Sequence, residues 1–144
     1  MSVVPARINL VTLGVSDIAR ATAFYEALGW RKSDASVPDV VSFFDLDSCV
    51  LGLWSATALA AESRVPAPGG PGAVSLAINV ASAADVDAAI DAAIAAGGSV
   101  LRPAGDALEF EGRSGYFADP DGHPWEVAHN PGFALDDTGR VQLP

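Results

Sequence analysis

The residues best suited to chemistry lie near the end of the chain, where Glu126 stands between two histidines. His123 and His129 each lie three positions from Glu126, and carboxylates and imidazoles are the side chains that bind divalent metal ions or act as general bases. Side chains of a regular strand alternate between its two faces, so residues an odd number of positions apart point in opposite directions. A strand here therefore directs both histidines away from Glu126, unless a β-bulge intervenes.

The composition offers little else for metal or nucleophilic chemistry. The chain has 144 residues with two histidines and one cysteine, Cys49, which permits neither an internal disulfide nor a cysteine-based zinc site. Eighteen acidic residues against eight basic ones give a net charge of −10, which disfavours nucleic acid and anionic membranes as partners. No N-terminal apolar run fits a signal peptide or a membrane span, so we expect a cytoplasmic protein.

The first half of the chain begins with a strand and a helix. Ile8–Val15 alternates, with Val11, Leu13 and Val15 on one face and Leu10 and Thr12 on the other. A helix follows that we expect Ser16 to cap and Gly29 to end. Further extended segments are predicted from Trp30 onward, over Val40–Leu46 and over Ser48–Trp54. The predicted order is β-α-β-β-β.

The second half repeats this order. Ala73–Val80 alternates like the first strand, and Ser82 begins a helix that stops at Gly97. Asp119–Gly122 has the residues of a type I turn. The further extended segments are predicted over Ser99–Pro103, Asp106–Glu111, Ser114–Asp119 and His123–Asn130. The sequence thus predicts two βαβββ modules.

The two modules predict one α+β domain over residues 1–144. Module one spans about residues 6–56 and module two about residues 73–130, with a C-terminal tail at 131–144. Residues 57–72 are rich in Ala, Pro and Gly and are expected to form an exposed linker. One helix cannot cover both faces of a sheet, so each module leaves one face uncovered. Side by side, these faces line one cavity, with predicted walls at Leu10, Thr12, Ser75 and Ala77.

Two longer segments resemble the vicinal oxygen chelate superfamily, which includes glyoxalase I, bleomycin-resistance proteins and extradiol dioxygenases. They are VSDIARATAFYEALGW (Val15–Trp30) and GYFADPDGHPWEVAHNPG (Gly115–Gly132). The resemblance extends over about residues 8–130. It implies two βαβββ modules that form one cavity, and a homodimer. It leaves the activity open, because this fold hosts isomerases, dioxygenases, thiol transferases and metal-free binding proteins.

The resemblance also implies where a metal centre would lie. Metal-dependent members use one side chain on the first strand and one on the last strand of each half, and these positions fall here near Leu10, Gly52, Ser75 and Glu126. Leucine and glycine have no ligating side chain, and a serine hydroxyl is a poor ligand at neutral pH. Only Glu126 is of ligand type, so no cofactor is expected.

The candidate binding cavity is larger than this set. Its aromatic members are expected to stack on a planar ligand, and its polar members to orient that ligand. The candidates are Leu10, Thr12, Phe43, Gly52, Trp54, Ser75, Ala77, Asn79, Tyr116 and Glu126. Phe117, like the other aromatic candidates, is expected either to line the cavity or to fill the core. Arg113 is a candidate for contacting an anionic ligand from an overhanging segment, with a solvated loop as its alternative.

Three possibilities remain open from the sequence: in one, side chains fill the cavity and the protein acts through partners, and the other two are functions of the cavity itself. One is binding of a small neutral or cationic molecule without a metal centre, which suits an acidic chain. The other is a divergent glyoxalase-like lyase or isomerase, or a dioxygenase, with an altered metal site in which Glu126 is ligand or catalytic base.

Overall fold

The computed structural model describes residues 3–4, 6–66 and 74–144. The first half contains three strands and two helices, and the second half four strands and one helix. In chain order these elements are β1 (Leu10–Val15), α1 (Ile18–Ala27), β2 (Val41–Asp45), β3 (Val50–Ser55), α2 (Ala56–Ser63), β4 (Leu76–Asn79), α3 (Ala83–Ala95), β5 (Ser99–Asp106), β6 (Arg113–Ala118) and β7 (Pro124–His129). A two-stranded hairpin, β8 (Ala134–Leu135) and β9 (Val141–Gln142), completes the chain.

The two halves form two sheets with related topology. In the first sheet the order is β1-β3-β2, with β1 parallel and β2 antiparallel to β3. In the second it is β4-β7-β6-β5, with β4 parallel to β7 and the other neighbours antiparallel. This mixed α+β architecture confirms the predicted fold class and the repeat of the two modules.

One hydrophobic core joins the two halves. It contains Leu13 and Val15 from β1 together with Trp125 and Val127 from β7. The ring of Tyr25, on α1, lies 6.0 Å from that of Trp125, and the Trp125 indole donates a hydrogen bond of 3.1 Å to the Tyr25 hydroxyl. The faces of the two sheets that carry the helices therefore belong to one shared core.

Hydrogen bonds at the Asp119–Gly122 turn strengthen this junction. The Gly122 amide donates to the Asp119 carbonyl oxygen at 2.9 Å, which confirms the predicted turn. The Tyr25 hydroxyl donates to the Asp119 carboxylate at 2.7 Å. The backbone and hydroxyl of Ser16 both donate to Asp121 at 2.8 Å. The turn of module two thus binds the start of α1 in module one.

The helix ends agree with the predicted caps except at the start of α1. The predicted cap of α1 at Ser16 is wrong: the carboxylate of Asp17 accepts from the amide of Arg20 at 3.0 Å, because Ser16 is engaged by Asp121. Ser82 caps α3 as predicted. Gly29, with φ of 93°, has the left-handed backbone expected at the end of a helix.

The strand predicted from Trp30 does not form. The segment makes only two isolated bridges, between Lys32 and Phe44 and between Val37 and Val41, because the indole of Trp30 stacks on the ring of Tyr25 at 5.4 Å and contacts that of Trp125 at 5.6 Å. Packing on the core therefore determines the path of this segment, and the first sheet has three strands instead of four.

Two further segments differ from expectation. Part of the predicted linker is α2, because its alanine-rich sequence favours helix and Ser55 caps it by accepting from the amide of Ala58; residues 67–72 of that linker lie outside the described residues. The strand predicted over Asp106–Glu111 is instead a loop, closed where the amide of Ala107 donates to the carbonyl oxygen of Gly112 at 3.0 Å.

Among the described residues, no helix is both long and apolar enough to cross a membrane.

Candidate open-face binding site

Each sheet has one face that does not contribute to the core, and we call the two together the open face. In the first sheet, the strand register places Thr12 and Phe43 on either side of Gly52. Two residues further along these strands, Gly14 pairs with Trp54 on the same face. Leu10 and Thr12 are exposed, whereas Phe43 and Trp54 are half-buried and Gly52 is buried. The predicted alternation of β1 is thus confirmed.

The second sheet contributes the more polar part of the open face. Glu126 pairs with Ala77 on one side and with Tyr116 on the other. Asn79 shares their face two residues beyond Ala77, while Ser75 precedes β4. Ser75 and Ala77 are exposed, and Asn79, Tyr116 and Glu126 are half-buried. Phe117 points the other way and is buried in the core.

The two halves of the open face correspond residue by residue. Gly52 is paired with Thr12 and Phe43 in the first sheet as Glu126 is paired with Ala77 and Tyr116 in the second. Leu10 and Ser75 each lie two positions before the first-strand partner, Thr12 or Ala77. Register therefore makes Leu10 equivalent to Ser75, and Gly52 equivalent to Glu126, within the repeat.

Tyr116 and Glu126 interact directly on this face. Partial burial raises the pKa of the Tyr116 hydroxyl, and the negative charge of Glu126 and a hydrogen bond to its carboxylate raise it further. The charge of Arg102 and a hydrogen bond with the Ser75 side chain act in the opposite direction. Three polar side chains from three other segments, those of Glu126, Arg102 and Ser75, therefore act on the Tyr116 hydroxyl.

Arg102 is a member of this cluster that the sequence patterns did not reveal. Its guanidinium carbon lies 5.5 Å from the centroid of the Tyr116 ring, within the range of a cation–π interaction. The guanidinium also donates a hydrogen bond to the buried Ser114 hydroxyl. Arg102 is thus held on the open face from two directions.

Irregularities in β5 place Arg102 there. Val100 pairs with Phe117, so a regular antiparallel register would pair Leu101 with Tyr116 and turn Arg102 toward the core face. Instead Arg102 itself pairs with Tyr116, which marks a one-residue shift before it. A second shift follows, since Gly105 rather than Ala104 pairs with Ser114. Such β-bulges re-aim side chains and leave no mark in hydrophobic periodicity.

Gly115 makes room for the second shift. A Cβ atom added at Gly115 would lie 3.0 Å from both the Cα and the backbone nitrogen of Ala104. A side chain here would require the Ala104 backbone to move by a few tenths of an ångström, so a glycine suits the observed path of β5.

The alternative candidate arginine, Arg113, lies on the other face of the second sheet. Its Nε and Nη2 donate to the two carboxylate oxygens of Asp87 on α3, at 2.7 and 2.8 Å. This bidentate hydrogen bonding lowers the pKa of Asp87 and raises that of Arg113. The expectation that Arg113 contacts a cavity ligand is therefore wrong: the arginine that borders the open face is Arg102.

His129 lies on the face of β7 opposite Glu126, as the odd spacing predicts, whereas His123 precedes this strand. A ring nitrogen of His123 lies 2.8 Å from the carbonyl oxygen of Gly14. A ring nitrogen of His129 lies 3.3 Å from the carbonyl oxygen of Val80, and His129 pairs across the sheet with Arg113.

The donor set does not fit the metal centre that the fold implies. Leu10 and Gly52 provide no ligating atom, and Ser75 provides a neutral hydroxyl. Within residues 3–4, 6–66 and 74–144, no group of three or more His, Cys, Asp or Glu side chains is placed to hold a metal ion. Glu126 stands at its implied position without the other ligands.

Helix α2 covers one end of the open face in the first sheet. A Cβ atom at Gly14 would lie 3.0 Å from the Cα atom of Ala56 and 3.4 Å from a methyl group of Leu59. Gly14 lies beside Trp54 on this face, so α2 packs over that end of the sheet because Gly14 has no side chain.

The fold of two related modules and the positions of the open face define a class of proteins, and comparison with known proteins identifies the family. The model of the Glyoxalase/Bleomycin resistance protein/Dioxygenase superfamily matches residues 7–127. The chain belongs to this superfamily, which confirms the resemblance drawn from its two motifs.

Solved structures agree with this assignment. A glyoxalase-related enzyme from Fulvimarina pelagi is 34% identical and has a TM-score of 0.86, over 96% of this chain and 99% of that one. A glyoxalase/bleomycin resistance protein/dioxygenase from Nocardioides is 26% identical, with a TM-score of 0.73 over 99% of this chain and 93% of that one. Lactoylglutathione lyase from Agrobacterium tumefaciens, 23% identical, with a TM-score of 0.65 over 87% of this chain and 94% of that one, shares the fold. No curated protein matches.

Proposed function

We propose that this protein binds a small organic molecule on its open face and that binding does not use the metal centre of metal-dependent relatives. The observation that supports this most directly is the equivalence of Gly52 and Glu126 in the two sheets. One of the two last-strand positions has no side chain, and the two first-strand positions hold Leu10 and Ser75. The position that keeps a carboxylate, Glu126, pairs with Tyr116 across the sheet, and its charge helps to raise the pKa of the Tyr116 hydroxyl.

The two sheets divide the proposed binding between them. Phe43 and Trp54 in the first sheet offer half-buried aromatic surface to the apolar body of the ligand. The second sheet offers a carboxylate at Glu126 and a hydroxyl at Tyr116. A carboxylate accepts hydrogen bonds from neutral donors and attracts cations, and the net charge of −10 disfavours a ligand that is anionic overall.

A thermal-shift experiment in the presence of EDTA tests this function. We expect neutral or cationic aromatic compounds from a fragment panel to raise the Tm, since ligand at about 100 times its Kd stabilises a protein by about 2.7 kcal/mol. The Glu126→Gln variant should lose this shift. Glu109→Gln, an exposed glutamate in the loop after β5, is the matched control and should keep it.

Metal loading of the same proteins can contradict the proposal. If no compound raises the Tm in EDTA while Zn²⁺, Ni²⁺, Mn²⁺ or Fe²⁺ alone does, and Glu126→Ala abolishes stoichiometric metal binding, then metal-free binding is wrong. That result would favour a lyase, isomerase or dioxygenase with an altered metal site. The protein for this measurement must carry no histidine tag, because the tag itself binds these ions.

A further inference from the structure

We infer that the open face selects a zwitterionic ligand whose carboxylate binds Arg102 and whose ammonium group binds Glu126. This inference rests on the proposed function, because it names the ligand class of the same face. It follows from the placement of two opposite charges on either side of one aromatic ring.

Arg102, Tyr116 and Glu126 occupy three neighbouring strands in one row. Arg102 pairs with Tyr116 and Tyr116 pairs with Glu126, so the two charged residues are separated by two strand spacings, roughly 10 Å between backbones. In the described part of the chain, the ion pairs are Arg20 with Asp121 and Arg113 with Asp87. Arg102 and Glu126 therefore face the same space without neutralising each other in a direct ion pair.

The guanidinium of Arg102 keeps donors for a ligand. One of its terminal nitrogens donates to Ser114, whereas a guanidinium has five N–H donors in a planar fork that matches a carboxylate. Ser114 is 1% exposed, so the anchor is rigid. The guanidinium also lies over the ring of Tyr116, with its carbon atom 5.5 Å from the ring centroid.

The position of Arg102 on the open face depends on an irregular stretch of β5. Two register shifts surround Arg102, and each shift gives up regular ladder pairing. Leu101, the residue displaced by the first shift, is 53% exposed. An arginine needed only for solubility requires neither shift, because β5 is an edge strand with access to solvent.

Charge complementarity favours the zwitterion over ligands with a single charge. A simple carboxylate would meet Glu126 and the overall negative charge, and a simple amine would meet Arg102. A molecule with both groups satisfies both side chains and has no net charge. Losing one charged hydrogen-bonded partner is expected to weaken binding about 10- to 100-fold.

Two matched sets of probes test the inference by calorimetry on the full chain in EDTA. The first set consists of three compounds with the same phenyl body. Phenylalanine carries both charges, hydrocinnamate only the negative charge and phenethylamine only the positive charge. The second set is leucine, isocaproate and isoamylamine, which repeat the comparison on an aliphatic body. We expect the zwitterion of at least one set to bind about tenfold or more tightly than its acid and its amine.

Variants assign this preference to the two side chains. Arg102→Gln should reduce the affinity for the zwitterion to that for the amine, and Glu126→Gln should reduce it to that for the acid. Ser114→Ala, which keeps the charge of Arg102 and removes its anchor, should weaken zwitterion binding by a smaller factor. Arg113→Gln on the opposite face is the matched control and should leave every affinity unchanged.

The outcomes separate this inference from the function on which it rests. If neither zwitterion binds more tightly than both of its analogues, or if Arg102→Gln changes no affinity, the inference is wrong. Binding of an amine or a neutral compound that depends on Glu126 alone would then leave the proposed function intact. If no probe and no panel compound binds in EDTA, the proposed function itself fails.

Discussion

Glu126 on β7 holds the position in the second sheet that Gly52 on β3 holds in the first. Each stands between a residue of the first strand and an aromatic residue of the neighbouring antiparallel strand, Phe43 for Gly52 and Tyr116 for Glu126. The repeat has therefore kept its geometry while its chemistry has diverged. One sheet presents apolar surface, and the other presents a carboxylate, a phenol and a guanidinium.

The interaction of Glu126 with Tyr116 makes a spectroscopic prediction. The chain has two tyrosines, and burial, followed by the charge of Asp119, raises the pKa of Tyr25 far above its usual range. The tyrosine that ionises first is therefore Tyr116. Glu126→Gln removes the negative charge that raises its pKa, so ultraviolet absorbance should show this ionisation at a lower pH than in the wild type.

Tyr116→Phe serves as the control for that titration, since it should remove the first ionisation altogether. An unchanged titration curve in Glu126→Gln would show that the two side chains do not interact in solution.

The bulges of β5 make a second prediction, at Gly115. An alanine there would place its Cβ atom 3.0 Å from the backbone of Ala104, so Gly115→Ala should destabilise the fold by about 1–3 kcal/mol, as overpacking does. It should also weaken any binding that depends on Arg102, because the Ala104 backbone, two residues beyond Arg102 in β5, must move away from the new methyl group. Urea denaturation and calorimetry measure the two effects.

Gly105 in the same strand provides the matched control. Nothing lies within 4 Å of a Cβ atom added there, so Gly105→Ala should leave stability unchanged or slightly increased. Equal stabilities for the two variants would mean that β5 does not follow this path.

Much of the scaffold could be predicted from local patterns. The alternation in residues 8–15 assigns Val11 and Leu13 to the core and Thr12 to the open face because a strand has a period of two. Gly29 predicts the end of α1 because few other residues adopt a positive φ. The same two-residue period predicts that His129, three positions from Glu126, points to the opposite face of its strand.

The missed features depend on contacts that periodicity does not encode. Arg102 reaches the open face because β5 slips by one residue against β6, and no local pattern specifies the slip. Trp30 leaves its predicted strand because its indole packs on Tyr25. Local composition does not predict helix α2, because its alanines adjoin a run of prolines and glycines and the whole segment then has the composition of a linker.

The packing of α2 makes a third prediction. Gly14→Val would place side-chain atoms where the backbone of Ala56 approaches to 3.0 Å, so α2 should separate from the sheet. Arg64 ends this helix, and cleavage there by trypsin should become several-fold faster, as measured by mass spectrometry of the released peptides. The Gly105→Ala variant should be cleaved at the wild-type rate. Equal rates for Gly14→Val and the wild type would mean that α2 does not rest on Gly14.

The buried hydroxyl of Tyr25 makes a fourth prediction, about stability at neutral pH. It donates to Asp119 at 2.7 Å and accepts from the Trp125 indole at 3.1 Å. Tyr25→Phe leaves both partners without this bond, and buried polar groups that lose a partner cost about 1–3 kcal/mol each. Urea denaturation at pH 7 should therefore show a less stable variant.

The stability of Tyr25→Phe should also depend less on alkaline pH than that of the wild type. Burial, followed by the charge of Asp119, raises the pKa of Tyr25 above its unfolded value of 10.0. A group with a raised folded pKa contributes stability that is fully present below the unfolded pKa and is lost as the pH rises above it. Above pH 10.0, wild-type stability should fall more steeply than that of Tyr25→Phe, by about 1.4 kcal/mol per pH unit. Tyr116 is present in both proteins, so its titration cancels, and parallel stability curves would show that Tyr25 ionises as readily in the folded chain as in the unfolded one.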